Sequence, residues 1–144
     1  MATEHRIQTA RSTGTGRQVF EEVSVALVSS NADVLPTPKL IFRIALAAGA
    51  LADTDVIMQV GVRVIDAFLI LQGAGVATTT LTVKNLATAI TDPMAASGAD
   101  KALVRCATID DASYEIAAGG TLRVTSATGA SQPAATVYVC CVRT

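Results

Sequence analysis

Residues 55–73 read DVIMQVGVRVIDAFLILQG, and the spacing of their apolar side chains decides the fold class. Every second position is apolar through the first half of this stretch: Val56, Met58, Val60, Val62 and Val64. The alternate positions include Gln59, Gly61 and Arg63. Because successive side chains of an extended chain point to opposite faces, this period of two predicts a β-strand with one face in a core.

The pattern changes after Asp66, where residues 68–71 read FLIL and are apolar on both faces of a strand. Such a run is typical of a strand that is covered on both sides or that contacts a neighbouring chain. We therefore predict that Phe68, Leu69, Ile70 and Leu71 form part of a subunit interface.

The composition favours a protein whose outer surface is partly covered by other copies. The chain has 144 residues, a common size for a single domain, and only 16% of them are charged. Ordinary soluble domains carry about 25% charged residues. Oligomerisation is the simplest way to cover such a surface. Membrane insertion is the competing explanation, but charged residues interrupt every apolar run that approaches the roughly 18 residues of a membrane span. The N-terminus lacks the apolar segment of a signal peptide. We predict no membrane segment.

Residues 1–17 are predicted to be an extended N-terminal arm, followed by a single domain over residues 18–144. The arm contains a small polar run, STGTG, at residues 12–16, and its three arginines stand against one glutamate, a net charge of +2. Arg6, Arg11 and Arg17 belong either to a solvated tail or to a segment that binds carboxylates on a partner protein, and we favour the partner. The net charge of −1 for the chain argues against nucleic-acid binding.

The chain beyond the arm alternates short apolar strands with turns rich in Gly, Pro and Asp, with almost no helical period. A loop is expected at residues 47–52, and residues 94–100 could hold one helical turn. Besides the stretch quoted above, strands are expected at 18–29, 39–47, 78–85, 101–108, 114–116, 120–127 and 135–143, and residues 87–91 could form a short edge strand. About eight strands at this spacing predict an all-β fold, an antiparallel β-sandwich of jelly-roll type, with a barrel as the alternative.

Two motifs have a functional and a structural interpretation. Gly73 and Gly75 resemble a fragment of a phosphate-binding loop, but a strand rather than a helix follows them, which favours a turn. Asp110 and Asp111 are adjacent, whereas Asp53 and Asp55 are spaced by two and are the better calcium candidates. A role in turns is favoured for all four aspartates.

No enzyme, metal or cofactor is predicted. His5, the one histidine, lies in the arm, and a catalytic imidazole must be positioned beside its nucleophile. The three cysteines, Cys106, Cys140 and Cys141, are predicted to be structural thiols, with Cys140 and Cys141 on opposite faces of a strand.

In its pattern of short strands and turns, the C-terminal half of the chain resembles the small virion proteins of tailed bacteriophages. The resemblance covers residues 67–75, 78–85, 99–129 (ADKALVRCATIDDASYEIAAGGTLRVTSATG) and 134–143 (AATVYVCCVR). Many such proteins are capsid decoration (cement) proteins, which are trimers of β-sandwich or jelly-roll subunits with an N-terminal arm. The resemblance implies a structural protein that is made in the host cytoplasm and binds the major capsid protein on the outer surface of the virion.

The alternative function is a receptor- or glycan-binding knob of a phage fibre or tail. Sugar binding uses exposed aromatic rings together with well-placed polar groups. The aromatic residues are few: Phe20, Phe42, Phe68, Tyr114 and Tyr138. Because three of them lie in strands expected to be buried, the decoration protein is the preferred hypothesis.

Overall fold

The computed structural model describes residues 39–144, which belong to one compact unit. These residues form ten β-strands and no helix. The strands are β1 (Lys39–Leu46), β2 (Asp53–Ile57), β3 (Val62–Leu71), β4 (Thr80–Asn85), β5 (Thr88–Ala89), β6 (Met94–Ala95), β7 (Leu103–Arg105), β8 (Glu115–Ile116), β9 (Thr121–Ala127) and β10 (Ala135–Arg143). The all-β prediction is confirmed. Among these residues no helix has the length and apolar character needed to cross a membrane.

The strands form two antiparallel sheets of five strands each. The first sheet has the order β1-β10-β3-β7, and β8 also pairs with β3. The second sheet has the order β2-β9-β4-β5, and β6 also pairs with β4. Since β5 and β6 share one edge of β4, and β7 and β8 share one edge of β3, each sheet has four strand positions.

The connections follow a jelly roll. The chain alternates between the sheets from β1 to β4, and it alternates again from β9 to β10. The first described strand pairs with the last, and the second pairs with the second-last. Eight strand positions in two sheets with this nested order form a jelly-roll sandwich, as predicted, rather than a closed barrel.

The core lies between the two sheets and is built from the alternating apolar side chains. Leu81 and Val83 of β4 and Leu122 and Val124 of β9 are fully buried, whereas Thr121 and Arg123 are only partly buried. Thr82, on the opposite face of β4 from Leu81 and Val83, is also buried. The first sheet contributes Ile44, Leu46, Val62, Val64, Leu69, Leu71, Val137, Val139 and Cys141. The predicted inward faces of these strands are confirmed.

The prediction of one continuous strand from residue 56 onward is wrong. The chain leaves the second sheet after Ile57 and enters the first sheet at Val62. The crossing segment keeps the apolar alternation because Met58, 1% exposed, and Val60 also turn towards the core. Gly61 lies at the end of the crossing, where its carbonyl accepts a hydrogen bond of 3.0 Å from the Thr144 amide.

The change of pattern at Asp66 is caused by a β-bulge. On β10, Cys140 pairs with Asp66 but Cys141 pairs with Val64, so Ile65 has no partner there. Ile65 and Asp66 therefore both lie on the outer side of β3. As a result the inward positions shift from even to odd numbers: Val62 and Val64, then Ala67, Leu69 and Leu71.

Other predictions have mixed outcomes. Residues 47–52 form the expected loop, in which Gly49 makes a bridge to Gln132. The helical turn suggested for residues 94–100 is wrong, because Met94 and Ala95 pair with β4 instead. The predicted strand at 18–29 and the arm at 1–17 lie outside the described residues.

Candidate functional site

The outer face of the first sheet carries an exposed apolar patch. Four strands that are far apart in sequence contribute to it: Ile41 from β1, Phe68 and Ile70 from β3, Leu103 from β7 and Tyr138 from β10. We call these five residues the outer patch. Ile41 and Leu103 are 64% and 61% exposed, more than the other large apolar side chains of residues 39–144.

One row of the outer patch crosses the whole sheet. Arg43 pairs with Tyr138, Tyr138 pairs with Phe68, and Phe68 pairs with Arg105. The two aromatic rings stack at a centroid distance of 5.0 Å and an interplanar angle of 12°. Directly opposed side chains in a sheet lie within contact distance. The row therefore places two aromatic rings between two guanidinium-bearing side chains.

An ion pair fixes one end of this row. The Arg105 Nε donates a hydrogen bond of 2.8 Å to Oδ1 of Asp66, the outward residue beside the bulge. This bond raises the pKa of the Arg105 guanidinium above its ordinary value. At the other end Arg43 is exposed and forms no ion pair with a described residue.

A shallow depression of about 220 Å³ lies between β3 and β7. It is lined by Asp66, Phe68, Leu103 and Arg105. Tyr138 covers one face of the Phe68 ring from β10, so the depression lies on the β7 side of that ring. Pockets for small molecules usually measure about 300–1,000 Å³. The depression is therefore of the size that holds one side chain or one sugar ring.

The calcium candidates Asp53 and Asp55 lie in strand β2, so their predicted role in a turn is wrong. Asp55 accepts two hydrogen bonds of 2.7 Å from Arg123 on β9, and Asp53 lies 3.2 Å from the same guanidinium. The bonds from Arg123 lower the pKa of Asp55. This cluster is an ion-pair network across two strands.

Asp110 has the predicted role in a turn, because its Oδ1 accepts a hydrogen bond of 2.9 Å from the Ala112 amide. Asp111 lies in the same turn. Within residues 39–144 no group of three or more His, Cys, Asp or Glu side chains is placed to hold a metal ion.

Gly75 is a point of close backbone approach. Its amide donates a hydrogen bond of 2.8 Å to the Gly98 carbonyl, and the Val76 amide donates one of 3.0 Å to the Ala96 carbonyl. The strand β4 follows, as the sequence predicted, and no helix N-terminus is present here for a phosphate.

The three cysteines are free thiols. Cys141 points into the core and Cys140 lies on the outer side, so their predicted opposite orientation is confirmed. Burial raises the pKa of Cys106 and Cys140, and it raises that of Cys141 to about 12. Thiolates are the reactive form, so these thiols are poor nucleophiles at neutral pH.

The four residues predicted to form the interface lie on two opposite faces of β3. Phe68 and Ile70 belong to the outer patch, but Leu69 and Leu71 are fully buried in the core of their own chain. Their side chains are not available to a second copy, so the interface hypothesis now concerns only Phe68 and Ile70, for which it stays a prediction. The arm residues Arg6, Arg11 and Arg17 lie outside the described residues.

Sequence reasoning missed Ile41, Leu103 and Tyr138 as members of the outer patch. A signal for Ile41 was present, since it is apolar at an outward position of β1, between Lys39 and Arg43. No local signal brings these residues together, because their proximity depends on the pairing of β1, β10, β3 and β7.

Comparisons of this chain with protein-family models, with curated proteins and with solved structures find no match.

Proposed function

We propose that the chain is a structural virion protein that binds and stabilises the assembled capsid of a tailed bacteriophage as a homotrimer. The observation that carries this proposal is the outer patch, in which the exposed Ile41 and Leu103 and the half-buried Phe68, Ile70 and Tyr138 are flanked by charged side chains. Contiguous exposed apolar surface with a polar rim is typical of protein–protein contacts. The jelly roll is compatible with this role, since viral capsid and lectin domains use it, although a fold does not assign a function.

In this proposal the two candidate regions have different partners. The outer patch contacts neighbouring copies in the trimer, and Arg6, Arg11 and Arg17 of the arm bind carboxylates on the major capsid protein. A protein that binds only the assembled lattice stabilises that lattice by mass action. Three linked copies bind more tightly than one because the second and third contacts become intramolecular.

The test of the trimer is the molar mass in solution, measured by size-exclusion chromatography with light scattering. We expect three times the chain mass of 14.7 kDa. Leu103→Asp places a charge in the outer patch and should yield monomers. Ile57→Asp is the matched control, because Ile57 is 54% exposed on the outer face of the second sheet.

The test of capsid binding is co-sedimentation with empty mature capsids. The full chain should sediment with the capsids, and a variant that lacks residues 1–17 should remain trimeric but stay in the supernatant. A wild-type chain that is monomeric and does not bind capsids would overturn the proposal.

A receptor- or glycan-binding role is the second candidate, and the depression beside Phe68 favours it. A sugar ring could stack on the side of Phe68 that Tyr138 leaves uncovered, while Asp66 and Arg105 bind hydroxyl groups. Binding of host polysaccharide can be measured with the wild type, Phe68→Ala and the control Ile57→Ala. Polysaccharide binding that Phe68→Ala alone abolishes, without any capsid binding, would replace the decoration hypothesis.

A further inference from the structure

Among residues 39–144, β1 is the longest strand at a free edge of either sheet. It has eight residues, and within the described part of the chain it pairs only with β10. The other edge strands are shorter: β2 has five residues, β7 has three, and β5, β6 and β8 have two each. The free side of an edge strand presents backbone amides and carbonyls with which another extended chain can pair. β1 therefore offers one further strand position in the first sheet.

The side chains along this edge are positively charged. Lys39 and Arg43 are exposed on the outer side of β1, and the strand has no acidic residue. Neither cation forms an ion pair with a described residue. Their cross-strand neighbours on β10, Val142 and Tyr138, are uncharged. No carboxylate on the neighbouring strand therefore compensates these two charges.

Apolar side chains of β1 lie between the two cations. Ile41 points to the same side as Lys39 and Arg43 and is 64% exposed. On the inward side, Leu40 and Phe42 pack against the core but are only partly buried. Because directly opposed side chains of neighbouring strands are in contact, an added strand would cover Ile41 with one face and Leu40 and Phe42 with the other.

We propose that the free edge of β1 binds an extended acidic segment of a partner protein, which pairs with β1 as an added strand. In this mode of recognition main-chain hydrogen bonds supply affinity, and alternate side chains supply specificity. Opposed side chains set the pattern of the segment: an acidic residue opposite Lys39, three apolar residues, and an acidic residue opposite Arg43. The middle apolar residue would contact Ile41.

A second copy of β1 is a poorer occupant of this edge. In an antiparallel pair of β1 strands that aligns the two exposed Ile41 side chains, Lys39 of each copy would lie opposite Arg43 of the other. Like charges that are directly opposed destabilise a sheet, whereas opposite charges stabilise it. The inference goes beyond the proposed function, because it concerns backbone groups at the side of the sheet and depends on neither the trimer nor the capsid.

The first experiment measures the binding of a labelled peptide to the full chain by fluorescence anisotropy. The peptide has the core sequence Glu-Val-Val-Val-Glu between short Gly-Ser segments, and we expect saturable binding that weakens as salt is added. In the double variant Lys39→Glu, Arg43→Glu the dissociation constant should rise by roughly tenfold or more, because two attractive charge pairs become repulsive. A second peptide, with Lys in place of both Glu residues, should prefer this variant to wild type, which would also show that the variant is folded.

The matched control is the double variant Lys84→Glu, Lys101→Glu, which changes the net charge of the chain by the same amount. Lys84 lies in β4 and Lys101 lies in the loop before β7, so neither residue belongs to the β1 edge. This control should bind the acidic peptide as wild type does. A wild type that does not bind the acidic peptide, or an equal loss of binding in both double variants, would overturn the proposal.

The second experiment follows hydrogen exchange of β1 by mass spectrometry. Alternate amides of an edge strand point away from its partner strand, so about half of the amides of β1 should exchange rapidly in the free chain. The acidic peptide should slow exchange in β1 and leave exchange in β2, the edge strand of the second sheet, unchanged. Slow exchange of every β1 amide without peptide would show that the edge is already occupied and would refute the proposal. Trimer formation and capsid binding are measured without the peptide, so the proposed function can stand or fail independently.

Discussion

Phe68 on β3 and Tyr138 on β10 stack across neighbouring strands, with ring centroids 5.0 Å apart and ring planes 12° from parallel. Both rings lie on the outer side of the first sheet, half-buried. The near-parallel arrangement at this centroid distance is an offset stack, which aromatic pairs prefer over a direct sandwich.

The stacked pair should contribute to stability beyond the burial of its two rings. In a double-mutant cycle of Phe68→Leu and Tyr138→Leu, we expect a coupling free energy of about 0.5–1.5 kcal/mol. The free energies of unfolding can be measured in urea at one protein concentration. Purely additive effects of the two substitutions would contradict the prediction.

Leu69 and Ile70 are adjacent in sequence but should differ in their effect on stability. Leu69→Ala opens a cavity in the core and should lower the free energy of unfolding by about 2–5 kcal/mol. Ile70→Ala removes a half-buried side chain from the outer patch and should cost less. The comparison uses urea unfolding of both variants, and equal losses would mean that the assigned faces of β3 are wrong.

Gly75 should not tolerate a methyl group, whereas Gly73 should. A Cβ at Gly75 would lie 2.5 Å from the carbonyl oxygen of Ala96 and 2.6 Å from the carbonyl carbon of Ser97. Because both atoms belong to the backbone, Gly75→Ala should lower the free energy of unfolding by about 1–3 kcal/mol. Gly73→Ala is the matched control, since a Cβ there meets no atom within 4 Å. Thermal unfolding should separate the two variants, and equal melting temperatures would contradict this account.

The Cys141 thiol should make the stability of the sandwich fall at alkaline pH. Burial raises the pKa of Cys141 from its ordinary 9.0 to about 12. The unfolded chain therefore loses this proton first, and the stabilisation is present below pH 9 and is lost between pH 9 and pH 12. The loss amounts to about 4 kcal/mol at most.

The check on Cys141 compares wild type with Cys141→Ala in urea unfolding at pH 8.5 and pH 11. The variant starts less stable, but it should lose less free energy of unfolding over this pH interval. Cys106, Cys140 and other groups titrate in both proteins, so only the difference between the two slopes reports on Cys141. Identical slopes would show that burial does not raise the pKa of the Cys141 thiol in the folded protein.

Two of the four residues predicted for the interface, Phe68 and Ile70, lie in the outer patch, and their role in an interface stays a prediction. The sequence points to Phe68 and Ile70 because an uninterrupted apolar run is typical of a strand with two covered faces. Leu69 and Leu71 were assigned to the same surface because the run alone does not say which parity faces the core. The bulge at Ile65 fixes that parity, and its position depends on the pairing of β3 with β10.

The sequence by itself determined the positions and the inward faces of most of the described strands. Leu81 and Val83, or Leu122 and Val124, are recognisable as core residues because the period of two is a local property of an extended chain. It also determined the fold class, since short alternating runs between turns leave no room for helices.

Only the tertiary structure decided where the chain crosses between the sheets and which outward side chains meet. Met58 and Val60 keep the strand pattern through the crossing, because a side chain can enter the core from either sheet or from between them. The outer patch joins Ile41, Phe68, Leu103 and Tyr138 from four strands, and their proximity follows from long-range backbone hydrogen bonds that no local pattern encodes.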